Sequence, residues 1–564
     1  MIKNTVSRYS VTMTAVGKLV TSLRGTTLQI LTLIAFLSLK LLLDANMGFV
    51  NEIDVLPLAK QYVSPTWIPG DWYLNQPSGY RLLFLTLFGK LANNWGFLAT
   101  SVIGRLLCYA LVAVGLVRLG RILGLSLPLL LLALGLFLYA GSSQSAAASE
   151  WLVGSLEPKA VAYGFLLLAV GLMLEGRYRW MALMLGLATS FHVLVGGWAF
   201  VAVVGWLSLR RKTDFTDIRY LGSILLIYIA ASAFAIGAIL EQVFAPTPKG
   251  AVQPSYIYVF WRLPHHLNPL SWSSDWWVQP LVYLLILVFS VALLWRHRHS
   301  EPFSKYSPAC IGLAEFTLIA LIPFILGLVI APFDSQGSLL QYYPFRLGDI
   351  LLPLSTCLLF ACLLEQTFTG KTRRGLVLAC ILLLSWMCST QIVQFREQLV
   401  ALHQFPSQEQ GVENPEWKQL CGWVRTHTPK NAVVVSSPGE FESFTWLAER
   451  PTIAKFKLLP QTKAGIVSWY ERLTDLSGNL YPWPDITNTE DDGTEIKSEI
   501  KNKLTTGYNH LTTAQAETLM VKYRADYFVT RIEHQLDLPI AYRNSLYILY
   551  KSPIEFTGLT QIYL

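Results

Sequence analysis

Long apolar runs, repeated along most of the chain, are the feature that most constrains how this sequence can fold. Of the 564 residues, 53% are hydrophobic and only 14% are charged. A helix needs roughly 17 to 25 mostly apolar residues to cross a bilayer. The sequence therefore predicts a mainly α protein, a polytopic helical membrane bundle of about eleven spans. The candidate spans are Thr26–Asp44, Trp95–Val117, Leu125–Gly141, Lys159–Leu174, Trp180–Val193, Gly196–Leu209, Ile218–Leu240, Val278–Trp295, Cys310–Ile330, Leu347–Glu365 and Gly375–Val393.

Short basic clusters between the apolar runs predict the orientation. If the N-terminus is cytoplasmic, clusters such as Arg118/Arg121 and Lys371–Arg374 all fall on the cytoplasmic side, as the positive-inside rule requires. We therefore expect a cytoplasmic segment at 1–25, a retained signal-anchor after it, and a location in the inner (cytoplasmic) membrane. Because these clusters explain the net charge of +8, the sequence indicates no binding of nucleic acid.

The composition turns polar after Gln394, and helix-like stretches then alternate with strand-like ones. This pattern predicts a small α/β domain over residues 394–564, on the periplasmic side of a membrane domain at 26–393. The segment Thr487–Lys497 is predicted to be a charged loop. The other predicted elements are Trp417–Arg425, Ala432–Ser436, Ala514–Tyr523, Asp526–Thr530 and Ser545–Tyr550.

Two outer loops, 45–80 and 241–277, are long for helix connections, and such loops usually carry function. The first contains Glu52, Asp54 and Asp71 among aromatic residues. Carboxylates at a membrane surface can act as a general base on a hydroxyl, or hold a divalent cation against a phosphate. The alternative is that these are solvated loop charges and that the aromatics form an interfacial belt.

The later outer segments add residues that can bind phosphate. Lys159 begins a span, Arg262, His265 and His266 stand together in the long loop, and Arg346 lies at the outer end of another span. Arginine and histidine can bind a phosphate or pyrophosphate leaving group. The alternative for Lys159 and Arg346 is that they extend toward lipid headgroups.

The sequence shows neither a disulfide framework nor a closed zinc pattern. The identity of any metal stays unknown, with a divalent cation as the candidate cofactor.

The arrangement resembles the GT-C superfamily of membrane glycosyltransferases, which use polyprenyl-phosphate sugars as donors. The resemblance rests on the cytoplasmic N-terminus, about eleven spans, an acidic first outer loop and an outer C-terminal domain. It implies that Glu52 or Asp54 is the catalytic base, with Asp71 in reserve. More closely, NEIDVLP, SLEPKA, RLPHHLNP and YYPFRLGD are similar to an uncharacterised, cyanobacterial-type family of bacterial membrane proteins. The WWDYG-type signature of oligosaccharyltransferases does not occur in the sequence.

The leading hypothesis is therefore an inverting glycosyltransferase of the cell envelope, which moves a sugar from a polyprenyl-phosphate donor to a glycan, lipid or protein acceptor at the outer face. In it, Asp54 or Glu52 is the base, Asp71 is a second acid or holds a metal, and Lys159, Arg262, His265, His266 and Arg346 bind the substrate. The alternatives are a lipid or polysaccharide transporter and a non-enzymatic envelope membrane protein.

Overall fold

The protein is described by a computed structural model over residues 25–39, 51–140, 143–210, 218–248, 252–301, 303–368, 370–402, 415–478, 480–484 and 492–554. The predicted cytoplasmic segment before residue 25 lies outside these ranges. The chain is mostly helical, with a small sheet near its C-terminus.

The helices before residue 403 form the part of the chain in which the apolar runs were found. In order, α1 to α16 are Gly25–Leu39, Glu52–Val63, Leu82–Leu123, Leu127–Tyr139, Pro158–Leu174, Tyr178–Phe191, Val193–Leu209, Ile218–Ala231, Ala233–Phe244, Pro254–Tyr256, Pro264–Leu267, Val278–Arg296, Ser307–Ala320, Ile322–Ile330, Arg346–Thr367 and Gly370–Leu402.

Five helical stretches in the described ranges are long and apolar enough to cross a membrane, and six if α8 and α9 count as one span. They are Gly79–Leu123, Ser274–Arg296, Ser307–Phe333, Arg346–Thr367 and Gly370–Val393. Four shorter apolar helices, α1, α4, α5 and α7, lie among them. These findings support a helical membrane protein, while the prediction of about eleven spans remains a prediction.

Two of the predicted spans differ in shape from the expectation. The run Ile218–Leu240 is divided into α8 and α9, whose axes are bent by 80° at Ser232. The run Trp95–Val117 lies inside the longer α3, which changes direction at Gly96, where φ is 78°. Glycine takes this left-handed conformation without steric cost, so the bend is built into the sequence at that point.

The C-terminal segment forms a four-stranded sheet with helices packed around it. The strands are β1 (Val434–Val435), β2 (Tyr527–Arg531), β3 (Ile540–Arg543) and β4 (Tyr547–Lys551), in the order β1-β2-β4-β3. The pair β1/β2 is parallel, and the other two pairs are antiparallel. The helices α17 to α21 are Pro415–His427, Phe444–Ala448, Lys463–Leu476, Gly493–Asn509 and Thr513–Tyr523.

The prediction of a charged loop over Thr487–Lys497 is wrong for its last residues, because α20 begins at Gly493. Residues 487–491 lie outside the described ranges. The helix starts with a capping box, in which the Asp492 carboxylate accepts from the N–H of Glu495 and the Glu495 carboxylate accepts from the N–H of Asp492. This exchange satisfies N–H groups that the first helical turn leaves unbonded. Asp492 and Glu495, which the sequence placed in a charged loop, therefore cap the start of α20.

Buried carboxylates tie the outer loops to the helices. Glu52, which is fully buried, accepts hydrogen bonds from Arg105 Nε at 2.7 Å, from Ser101 Oγ at 2.7 Å and from Leu156 N at 2.6 Å. One side chain thereby joins the first outer loop, α3 and the segment between α4 and α5. A buried charge is tolerated only when paired and hydrogen-bonded in this way.

The outer loop 241–277, which is the third along the chain and is called the third outer loop, packs into the hydrophobic core of the C-terminal segment. Trp261 belongs to that core, and its indole N–H donates to the carbonyl of Pro484 at 3.0 Å. Its ring stacks on Tyr470 with centroids 5.6 Å apart. A Cβ on Gly493 would lie only 2.7 Å from the backbone N of His265, so α20 approaches the loop as closely as its backbone allows. The loop and the C-terminal segment therefore hold one another.

We expect Arg105→Met to lower the free energy of unfolding by about 3–5 kcal/mol, because it leaves the Glu52 charge buried without its partner. Unfolding of the detergent-solubilised protein would measure the loss. The matched control is Arg118→Met on the same helix, because Arg118 pairs with Glu175 where both side chains are about 30% exposed. Its loss should be about 1 kcal/mol or less. Equal losses in the two variants would contradict the role assigned to Glu52.

Candidate functional site

A polar cavity of about 390 Å³ lies where the outer loops meet the C-terminal segment. Seven lysine and arginine side chains line it, against four carboxylates, so its walls carry a net positive charge. The charged lining residues are Asp54, Arg81, Glu150, Glu157, Lys159, Arg262, Arg346, Glu442, Lys457, Lys497 and Lys501.

One side of the cavity, called the floor, consists of Glu150 with Lys159 and Arg346. The Glu150 carboxylate lies 3.2 Å from Lys159 Nζ and 2.9 Å from the Arg346 guanidinium. Although burial alone would raise it, the two positive charges lower the pKa of Glu150 to about 2. Glu150 is therefore ionised at neutral pH, and it neutralises part of the charge of both cations.

Asp349, on α15, holds the loop that presents Glu150. Its carboxylate accepts from the backbone N–H groups of Ala147 at 2.6 Å, Ala148 at 2.9 Å and Glu150 at 3.1 Å. The loop is buried here, and buried backbone N–H groups need such partners because water does not reach them. The position of the floor therefore depends on a residue that does not line the cavity.

Asp54 lines the cavity from the start of α2. Its Oδ1 atom accepts from the Tyr73 hydroxyl and lies 3.5 Å from an Arg81 nitrogen. Its Oδ2 atom has no hydrogen-bond partner among the residues described. A carboxylate fixed through one oxygen, with the other oxygen unbonded, has the geometry that a general base needs.

The other two carboxylates predicted as catalytic lie away from the cavity lining. Glu52 is enclosed by its three donors, as described above. Asp71 is 1% exposed and accepts from the N–H groups of Leu74 at 2.8 Å and Thr452 at 3.1 Å. Burial raises the pKa of Asp71 to about 6, against these donors. Both side chains connect segments of the structure, Asp71 joining the first outer loop to the C-terminal segment.

The histidine pair predicted for substrate binding lines the cavity on the short α11. Burial lowers the pKa of His266 to about 4 and lowers that of His265 further, with the neighbouring positive charges adding to the effect at His265. Both rings are therefore neutral at pH 7 and can offer hydrogen bonds but no charge. His266 Nδ1 lies 2.6 Å from the carbonyl oxygen of Ala148, which makes it the protonated ring nitrogen.

The opposite side of the cavity, called the roof, is formed by Arg262 with Lys457, Lys497 and Lys501. Sequence analysis identified Arg262 but missed the three lysines, which lie far along the chain in the C-terminal segment. Lys497 and Lys501 are four residues apart on α20 and so share one face. The spacing was visible in the sequence, but their segment was read partly as a loop.

Glu442 is the carboxylate that the C-terminal segment adds to the lining. It lies 3.1 Å from Lys501, whereas in the described ranges neither Lys457 nor Lys497 forms an ion pair. Burial, together with the positive charges of Arg262 and Lys457, lowers the pKa of Lys497 to about 8. The roof therefore concentrates positive charge that its own carboxylate does not balance.

A second, apolar cavity of about 170 Å³ adjoins the first and shares Tyr80, Leu194, Tyr258 and Gln461 with it. Its other wall is α9, which contributes Ala238, and residues of α9 nearby on the surface are strongly exposed, including Phe244 at 78%. We call this second cavity the apolar groove. A ligand with a charged head and a hydrocarbon tail matches the combination.

The lining fits a protein-bound metal poorly. The described residues contain no group of three or more His, Cys, Asp or Glu side chains placed to hold one. Three lining carboxylates, Asp54, Glu150 and Glu442, are already paired with cations.

The family described as "Domain of unknown function (DUF6798)" matches residues 415–476, and no curated protein matches the chain. Among solved structures, the chain is similar to the oligosaccharyltransferase of Archaeoglobus fulgidus tethered with an acceptor peptide containing the NVT sequon. The identity is 12%, the TM-score is 0.40, and the match covers 90% of this chain and 69% of that one. For a complex of the same enzyme with Zn and sulfate, the identity is 12%, the TM-score is 0.41, and the match covers 89% of this chain and 68% of that one. Similarity at this level carries no argument about activity.

The low pKa of Lys497 predicts that its amine reacts strongly with an acylating reagent once the pH passes about 8. Mass spectrometry of the full-length protein after brief labelling between pH 6 and 11 would give the midpoint of the rise in Lys497 labelling with pH. Glu442→Gln should move the midpoint to lower pH, because the Glu442 charge favours the protonated amine. As a control, Glu499→Gln removes a carboxylate that pairs with Lys503 on the same helix. A midpoint near 10.5, the ordinary value for lysine, would show that the roof charges do not act on Lys497.

Proposed function

We propose that the protein is a GT-C-type inverting glycosyltransferase, which moves a sugar from a polyprenyl-phosphate donor to an acceptor hydroxyl at the outer face of the membrane. The observation that carries the proposal is the placement of Asp54 in a cavity that is rich in cations and continuous with an apolar groove. A base, a site for a phosphate leaving group and a site for a lipid tail are the three parts that this reaction requires.

The donor would lie across the two cavities. The isoprenoid tail would occupy the apolar groove beside α9, where burial of each CH₂ group contributes about 0.8 kcal/mol. The phosphate would bind to the floor cations Lys159 and Arg346. Arginine suits this role because its planar guanidinium can donate two parallel hydrogen bonds to phosphate oxygens.

In the reaction, the acceptor hydroxyl attacks the anomeric carbon of the donor sugar. The new bond joins that carbon to the acceptor oxygen, the bond to the phosphate oxygen breaks, and the hydroxyl proton passes to Asp54 Oδ2. Tyr73 and Arg81 hold the Asp54 carboxylate in place through Oδ1. The cations of the cavity would stabilise the negative charge that develops on the departing phosphate.

We expect Asp54→Asn to lower sugar transfer at least about 100-fold, since a general base contributes on the order of 10²–10⁴ in rate. Donor binding should remain, because the amide keeps the shape of the side chain. Transfer would be measured with purified protein in nanodiscs and a panel of polyprenyl-phosphate sugars.

The matched control for this variant is Asp275→Asn, which alters an exposed carboxylate in the third outer loop. Normal transfer by Asp54→Asn at normal expression would rule out Asp54 as the base. Failure of the wild-type protein to bind any donor in the panel would refute the function itself and favour a transporter or a non-enzymatic envelope protein.

The apolar groove is tested by Ala238→Trp, which places a large side chain in its wall. We expect about tenfold weaker binding of farnesyl phosphate, since displacing two CH₂ groups costs roughly 1.6 kcal/mol. Binding of inorganic phosphate, which has no tail, should not change. Leu240→Trp is the control, because Leu240 lies on the same helix at 51% exposure and does not line the groove. Equal losses for the two ligands would place the tail elsewhere.

A further inference from the structure

The roof of the cavity brings together four cations and one carboxylate, so most of its positive charge is not matched by an ion pair among the described residues. On the floor, Glu150 lies within 3.2 Å of both Lys159 and Arg346. On the roof, Glu442 pairs with Lys501, which leaves Lys457 and Lys497 without an ion pair in the described part of the chain. Like charges brought together out of water repel one another, so an arrangement of this kind favours the binding of an anion.

Two buried polar atoms at the roof give an independent indication of a ligand. The Nε atom of Arg262 and the Nδ1 atom of His265 are buried and have no hydrogen-bond partner within the structure described. Buried polar atoms are nearly always hydrogen-bonded. Arg262 Nε is a donor, and His265 Nδ1 is a donor in one of the two neutral tautomers, so an anion placed between them would satisfy both atoms. Arg262 is held in place meanwhile, because one terminal nitrogen donates to the carbonyl of Lys457 at 3.0 Å.

We infer that Arg262, His265, Lys457 and Lys497 form a second anion-binding subsite, which holds an acidic group of the acceptor. This inference rests on the proposed function, because only a transfer reaction has an acceptor substrate. The acidic group is a phosphate or carboxylate, and the floor separately takes the phosphate of the donor. An acceptor anchored at the roof would have its hydroxyl near Asp54, whose charge acts on both Arg262 and Lys457.

The roof also gives the C-terminal segment a function in this proposal. Lys457 and Lys497 come from two different parts of it, the stretch after β1 and the helix α20. The membrane part alone would supply a base and the floor cations but would lack three of the four cations of the roof. Acceptor selection by charge is thus assigned to the C-terminal segment, and donor binding to the outer ends of the membrane helices.

Protection of lysines from acylation tests the inference on the full-length protein in detergent. Inorganic phosphate at about ten times its dissociation constant should slow labelling of Lys497 about tenfold, because only the unoccupied fraction reacts. Lys503, which lies on the same helix and pairs with Glu499, is the internal control and should be unaffected. Lys457→Gln should weaken the protection of Lys497 by phosphate about tenfold, the loss of one charge-assisted hydrogen bond, and Lys503→Gln should not.

Farnesyl phosphate then separates the roof from the floor. Binding of isotopically labelled farnesyl phosphate would be measured independently. A saturating concentration of farnesyl phosphate should leave Lys497 reactive toward the acylating reagent, and inorganic phosphate added to that complex should still protect Lys497. The second subsite would be overturned if phosphate did not protect Lys497. It would also be overturned if farnesyl phosphate protected Lys497 and prevented phosphate from binding. If farnesyl phosphate fails to bind while phosphate still protects Lys497, the proposed donor is wrong and the roof subsite stands.

Discussion

Burial of carboxylates is the constraint on which the outer part of this molecule depends. Besides their apolar contacts, two of the loops are fixed by acids that accept backbone N–H groups or pair with a cation: Glu52 with Arg105, Asp71 with the N–H of Thr452, and Asp349 with the loop before Glu150. Since an unpaired buried charge costs several kcal/mol, each of these contacts permits one arrangement of its loop and penalises the others. The cavity is the space that remains between loops fixed in this way.

The same physical effect gives the carboxylates different functions according to their neighbours. Glu52 and Asp71 have their oxygen atoms occupied by donors, so they connect segments and are not accessible to a substrate. Asp54 uses Oδ1 for its partners and keeps Oδ2 unbonded within the described structure, which is why the proposed reaction uses it. Residue type and loop position could not separate the three, because all are acids in one loop of the sequence. The number and direction of their partners separate them.

The sequence allowed most helical elements to be predicted, because their apolar runs are long and local. The predicted span Leu347–Glu365 corresponds to α15, and Trp417–Arg425 corresponds to α17. The bend of 80° between α8 and α9 was missed because Ser232 interrupts an apolar run without any proline or glycine at the break. The start of α20 was missed because a capping box and a solvated charged loop use the same residues. Sequence periodicity also gave no reason for Asp54, His265 and Arg346 to line one cavity, since that depends on contacts between distant segments.

The difference between floor and roof suggests how such a cavity can bind two different anions, each at its own site. Near Glu150, an incoming phosphate competes with a carboxylate already paired with Lys159 and Arg346, so binding there needs further stabilisation, which a tail in the apolar groove would supply. At the roof, Lys457 and Lys497 form no ion pair among the described residues, and the single charge of Glu442 acts on several cations at once, so charge alone favours an anion there. A ligand with a tail is therefore favoured at the floor, and a tail-less acidic group is favoured at the roof. Selectivity between the two would then come from the placement of Glu150 and Glu442, the carboxylates that each neutralise different cations.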